Sequence, residues 1–216
     1  MSILLNTFFA RDPCEVARDL LGKVIRHKYQ GKWLAAQIIE TEAYYLEDKG
    51  SHASLGYTPK RGALFMPAGT IYMYYARGRD SINVSCEGEG NAVLLKSGYP
   101  YEDEHTDPHA LDLMQASYDA PRAIGRLCAG QTLLCQALYL KLPQWNQQQF
   151  HVEQLYIDDV GYYPQKIIQT KRLGIPMGRD EHLPYRFVDL EFAEFSTSNP
   201  LRKRDADFII LDRDKF

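Results

Sequence analysis

The run Trp33-Leu34-Ala35-Ala36-Gln37-Ile38-Ile39-Glu40-Thr41-Glu42-Ala43-Tyr44-Tyr45 constrains this chain more than any other stretch. Ile38 and Ile39 make a strand here apolar on both faces as it approaches the acids, so it reads as an interior strand of a sheet. It then runs directly into two carboxylates. If residues 34–45 are extended, Glu40, Glu42 and Tyr44 share one face, and Thr41, Ala43 and Tyr45 the other. On a solvated face two carboxylates and a phenol need no explanation. At the end of an interior strand they read as groups delivered to a cleft.

The rest of the chain supplies a frame for that strand. Asp12 as N-cap, Pro13 at the first helical position and Gly22 as the stop predict a short helix over residues 13–21. Residues 23–27 and 33–45 predict two strands joined through Gln30-Gly31. Residues 70–77, 81–86 and 92–96 predict an antiparallel meander turning at Gly78-Arg79 and at Glu87-Gly88-Glu89-Gly90. Residues 108–140 read as helical. Beyond them Tyr156-Ile157 and Phe187-Val188 read as strands around a looped region with Pro164, Gly174, Pro176, Gly178 and Pro184. No repeat, low-complexity tract or linker interrupts the chain. The expected fold is a single α/β domain of α+β type over residues 1–216: a mixed, mostly antiparallel sheet flanked by helices, with a protruding β-hairpin near residues 74–83.

Composition narrows the function classes. With 216 residues, 45% of them hydrophobic, the chain can bury a sizeable core. No apolar run approaches the ~20 residues of a membrane helix, and no basic-plus-apolar leader follows Met1, so the expectation is a soluble, intracellular protein with no membrane partner. Cys14, Cys86, Cys128 and Cys135 form no C-x-x-C pair and are expected to be reduced. A net charge of −3 is not the footprint of a basic nucleic-acid-binding domain. Basic residues do recur, at Lys60-Arg61, Arg77, Arg79, Lys96, Lys171-Arg172 and Arg202-Lys203-Arg204, which leaves room for a local basic face.

The longer pattern carries a resemblance. Glu40-Thr41-Glu42-Ala43-Tyr44, His52, Thr58-Pro59, Leu64-Phe65-Met66, Gly69-Thr70, Tyr72-Met73-Tyr74, Asn83, and Gly88-Glu89-Gly90 running into Val93-Leu94-Leu95-Lys96 resemble the alkyladenine (3-methyladenine) DNA glycosylase family. Leu127-Cys128-Ala129-Gly130 and Leu134-Cys135-Gln136-Ala137-Leu138 resemble its later signature. The likeness is ordered over residues 10–140. It then thins to Arg172-Leu173-Gly174 and Pro184-Tyr185-Arg186-Phe187, and Glu194-Phe195-Ser196-Thr197-Ser198 departs from the family's usual ending.

The resemblance implies a monofunctional DNA glycosylase of base-excision repair, acting on alkylated and deaminated purines in double-stranded DNA, without metal or cofactor, as a monomer located with the DNA. Glycosidic hydrolysis passes through an oxocarbenium-like state and ordinarily uses one carboxyl as acid and one as base. An alkylated purine is already a cationic leaving group, so one carboxylate that activates water is sufficient. Glu42 matches that base, whereas Glu40 matches no family role. Tyr44 and Tyr74 match the stacking tyrosines for a flipped base, His52 the histidine opposite, and Asn83 the residue that disfavours the amino group of guanine. Two departures touch DNA contacts. The hairpin is one residue shorter, leaving Arg77 or Tyr75 as the wedge into the vacated stack, with Arg77 favoured as the residue before the turn glycine. Lys96 stands where some members have arginine, keeping charge but losing the guanidinium fork. Two other readings are a non-catalytic lesion-binding protein, and a metal-dependent hydrolase built from Glu42, His52, His105 and His109.

Overall fold

The computed structural model describes residues 2–202, 204 and 207–213; Met1 and Lys203 lie outside them. The predicted interior strand is β3, Lys32–Tyr44, and the sheet is built around it. One edge of β3 pairs with β2 (Val24–Tyr29) and then with β9 (Arg186–Asp189); the other carries β6 (Ala92–Pro100). From β6 the sheet continues to β5 (Arg79–Ser85) and β4 (Ile71–Ala76). From β2 it continues to β7 (Leu155–Asp159) and β1 (Ser2–Ile3), while β8 (Lys166–Thr170) and β10 (Phe208–Asp212) extend the branch begun by β9. All these pairings are antiparallel.

After a one-turn helix α1 (Asn6–Phe9) comes α2 (Pro13–Asp19), whose N-terminus is closed as predicted: Asp12 Oδ1 accepts from the backbone N–H groups of Cys14 and Glu15. Gly22, at φ +87°, ends the segment in a conformation that suits glycine. Residues 108–140 are not one helix. They form α3 (Ala110–Ala116), a 3₁₀ turn at Ile124–Arg126 and α4 (Gln131–Ala137), followed by α5 (Leu142–Trp145). Pro121 cannot donate to a helical ladder, and Gly130 at φ +133° redirects the chain just before α4.

Val16 and Ala17 of α2, Leu20 at its C-cap, and Leu134 and Cys135 of α4 belong to the same buried cluster as Leu34, Ala36, Ile38 and Ala43 of β3. Each fully buried aliphatic side chain contributes about 1.5–3 kcal/mol, so this face locks the register of β3. Thr41 faces the same side, its Oγ1 donating to the Ala17 carbonyl at 2.7 Å. Glu40, Glu42 and Tyr44 therefore turn to the face opposite Thr41 and Ala43, as alternation predicts; they share parity with Leu34, Ala36 and Ile38, and only a register break at Ile39 sets them across the sheet from those residues.

Between β3 and β6 the register breaks twice, leaving Ile39 on one strand and Lys96 on the other without a partner. Such a bulge re-aims side chains. Here it lets the consecutive residues Lys96 and Ser97 address the same face, the first reaching Glu42 and the second Glu40. The expected hairpin is β4–β5. Its two turn residues are Arg77 (φ +51°) and Gly78 (φ +78°), one position earlier than the Gly78-Arg79 expected, and the left-handed pair matches the twist of the strands. Among the described residues, no helix is long and apolar enough to cross a membrane, and all four cysteines are free.

Candidate active site

A cleft of about 800 Å³ opens on the Glu42 side of the sheet. Tyr44 from β3, Tyr74 from β4, Asn83 from β5 and Lys96 from β6 line it, with His52 from the segment after β3. His52 and Tyr74 meet edge to face, ring centroids 4.4 Å apart at 72°, and Tyr72 stacks on Tyr74 at 5.7 Å. No purine fits between rings that close. His52 and Tyr74 thus form one wall rather than two, and any stacked base lies between that wall and Tyr44.

Each wall is held from behind. The His52 Nδ1 lies 2.9 Å from Tyr72 Oη. Partial burial, followed by the charges of Arg61 and Arg179, lowers the His52 pKa from its ordinary value, so the ring is neutral at neutral pH. Tyr44 rests on the Arg172 guanidinium, 4.6 Å from the ring centroid, and Arg172 is fixed by Asp48 at 2.7 Å and by the Ala43 carbonyl at 3.0 Å. Asn83 donates Nδ2 to the Tyr72 carbonyl at 3.2 Å, which fixes its amide at the cleft surface.

Glu42 is fully buried and reaches the cleft only through its partners. One carboxylate oxygen accepts from the Leu173 backbone N–H at 2.9 Å; the other accepts from Tyr44 Oη at 2.8 Å and from Lys96 Nζ at 3.3 Å. Leu173, Tyr44 and Lys96 all line the cleft. Burial, then the charge and hydrogen bond of Glu42, push the Tyr44 pKa well above its ordinary value, so Tyr44 stays a protonated donor. Lys96, grouped by sequence with DNA contacts, is buried and its charge is neutralised by Glu42. That places it at the carboxylate rather than on a surface open to backbone phosphates.

Glu40 has a separate set of partners. Arg186 Nε donates to it at 2.6 Å, Ser97 Oγ at 2.5 Å and the Thr197 backbone N–H at 2.8 Å. The C-terminal segment that departs from the family pattern is thus packed onto Glu40.

At the hairpin, Arg77 lines the cleft, whereas Tyr75 lies on the other side of β4 and is exposed. Residues two apart in an extended strand share a face. The left-handed backbone at Arg77 ends the alternation and separates them. His105 pairs with Glu104 and His109 with Asp112, both away from the cleft lining. Among the described residues no group of three or more His, Cys, Asp or Glu is placed to hold a metal ion, which removes the geometric basis of the metallohydrolase reading.

Sequence reasoning missed Arg172, Leu173, Thr197 and Gln131. Leu173 and Thr197 act through backbone N–H groups, which leave no side-chain signature. Gln131 accepts from Lys96 at 3.0 Å and donates to Tyr74 Oη at 3.1 Å, contacts that exist only once α4 has docked.

The methylpurine-DNA glycosylase profile matches residues 7–191. A Pseudomonas aeruginosa protein is 64% identical over 204 residues, covering 93% of this chain and 85% of its own length. A Pseudomonas syringae pv. tomato protein is 59% identical over 217 residues, 97% of each chain, and one from an Anaeromyxobacter species is 33% identical over 190 residues, 86% of this chain and 88% of its own. Each is named, provisionally, as a 3-methyladenine DNA glycosylase.

Proposed function

We propose that Glu42 activates the water that releases the base in this chain, which belongs to the methylpurine-DNA glycosylase family and is a DNA-3-methyladenine glycosylase of base-excision repair. The observation that carries the reading is the arrangement around Glu42: a buried carboxylate whose three donors, Tyr44, Lys96 and the Leu173 N–H, all border the cleft.

An alkylated purine turned out of the duplex enters between Tyr44 and the His52–Tyr74 wall. A cationic ring on an aromatic face gains roughly 0.5–2 kcal/mol, which favours the damaged base over its neutral parent. Asn83 sits at the base edge and disfavours the guanine amino group. The C1′–N bond breaks with its electron pair going to the departing base, whose positive charge is thereby neutralised. The water oxygen bonds to C1′, and Glu42 takes the proton. Of the three contacts on Glu42, that to Lys96 is the longest, and a water entering there is held by both groups. Arg77, Arg79 and Arg179 border the cleft and supply a local positive rim for double-stranded DNA despite the net negative chain. The protein acts as a monomer.

Among the described residues that line the cleft there is no Asp or Glu to protonate a leaving base. Release of pre-charged bases is therefore favoured. Duplexes carrying 3-methyladenine, 7-methylguanine or hypoxanthine, scored for free base and abasic sites, should give fast release of the two cations and slow release of hypoxanthine. Equal rates for all three would contradict the reading.

A further inference from the structure

Gln131, the first residue of α4, holds two cleft residues at once. Its Oε1 accepts from Lys96 Nζ at 3.0 Å, and its Nε2 donates to Tyr74 Oη at 3.1 Å. The orientation of the amide is dictated by chemistry: an ammonium has only donors, so the amide oxygen faces Lys96 and the nitrogen faces Tyr74. From Lys96 the path continues to Glu42 at 3.3 Å, and from Glu42 to Tyr44 Oη at 2.8 Å. One connected chain of hydrogen bonds thus runs from the Tyr74 wall through the carboxylate to the Tyr44 wall.

We propose that Gln131 is a positioning residue for base release, acting through Lys96 to fix the ammonium against Glu42 while it steadies Tyr74. The inference rests on the reading of Glu42 as the base. Lys96 has a flexible four-carbon stem and three rotatable donors, so one acceptor does not define its place. Its contact with Glu42 is longer than the ~2.7–2.9 Å of a tight charge-assisted hydrogen bond. Gln131 supplies the second fixed point. It does so from a rigid base, because Leu134, Cys135 and Ala137 bury the inner face of α4.

The test is single-turnover release of 7-methylguanine at saturating enzyme, with lesion-duplex binding measured on the same proteins: wild type, Gln131→Leu, Lys96→Met and the double variant. Gln131→Ala is carried in parallel in case leucine overfills the site, and thermal unfolding checks each fold. Gln131→Leu should slow release roughly tenfold, the scale of one hydrogen bond to a charged group, with binding nearly unchanged. Lys96→Met should slow it at least as much, and the double variant should be no slower than Lys96→Met alone, because the glutamine then has nothing to position. If release is at the wild-type rate in both Gln131 variants while Lys96→Met is slow, or if the two losses multiply, the inference is wrong and the Glu42 reading stands. Wild-type release by Lys96→Met overturns the inference together with the role given to Lys96 beside Glu42.

Discussion

Glu40 and Glu42 stand two apart on one face of β3, yet they have different partners and different work. Glu40 closes a buried ion pair with Arg186, whose Nη2 donates to the Ser198 carbonyl at 2.7 Å. Removing one member of such a pair leaves an uncompensated buried charge, at a cost of about 3–5 kcal/mol. Glu40→Gln should therefore lose that much stability in denaturant unfolding; a loss under about 1 kcal/mol would contradict a structural role. His52 yields a prediction of opposite character. Its folded pKa lies below the ordinary value of about 6.5, first through burial and then through Arg61 and Arg179. A depressed histidine favours the folded state above the unfolded pKa, and that contribution is lost as pH falls through the folded one. The wall should thus be neutral at neutral pH, and only acid conditions should add a cation facing a cationic purine. An NMR titration of the His52 ring should give a midpoint below 6.5; one at or above that value would refute the assignment.

At the level of elements, the hairpin and the bulge decide where side chains point. Arg77 is held left-handed at the β4–β5 turn, a conformation that costs a residue with a side chain roughly 1–2 kcal/mol, and it lines the cleft. A guanidinium there can stack in the gap left by the extruded nucleotide and also bond the orphaned partner base. Arg77→Ala should weaken release from matched duplexes far more than from mismatched or single-stranded sites, where opening costs less. If Tyr75→Ala shows that selectivity and Arg77→Ala does not, the wedge is Tyr75. Alternation over residues 40–45 made the shared face of Glu42 and Tyr44 legible in the sequence; that this face lies opposite Leu34, Ala36 and Ile38 depends on the register break at Ile39. The bulge that brings Lys96 onto the carboxylate was not legible. It depends on how β3 and β6 slip past each other, which no local pattern encodes. The separation of Arg77 from Tyr75 was not legible either, because extended-strand parity does not survive a positive φ.

Across the whole molecule the site is assembled from segments far apart in sequence. The walls and the carboxylate come from residues 42–83, and Lys96 follows closely. The family resemblance singled these out in the sequence, because its motifs name side chains. Gln131, Arg172, Leu173 and Thr197 come from later segments with weaker patterning. β8 and β10, absent from the sequence reading, belong to the same second half; β10 has no fully buried residue and, among the described residues, pairs with β8. The later segments thus hold the site from behind, through backbone N–H groups and the side chains of Gln131 and Arg172, and the N-terminal half presents it. Glu42 is where the two halves meet, bonded at once to Tyr44 and Lys96 on one side and to the Leu173 N–H on the other. The most direct test of its role is single-turnover release of 7-methylguanine by Glu42→Gln, with binding to the same lesion duplex measured alongside. Because the change keeps shape but removes the proton acceptor, release should fall by at least ~10²-fold while the complex still forms. Turnover near wild type in a folded Glu42→Gln protein would remove Glu42 from the mechanism.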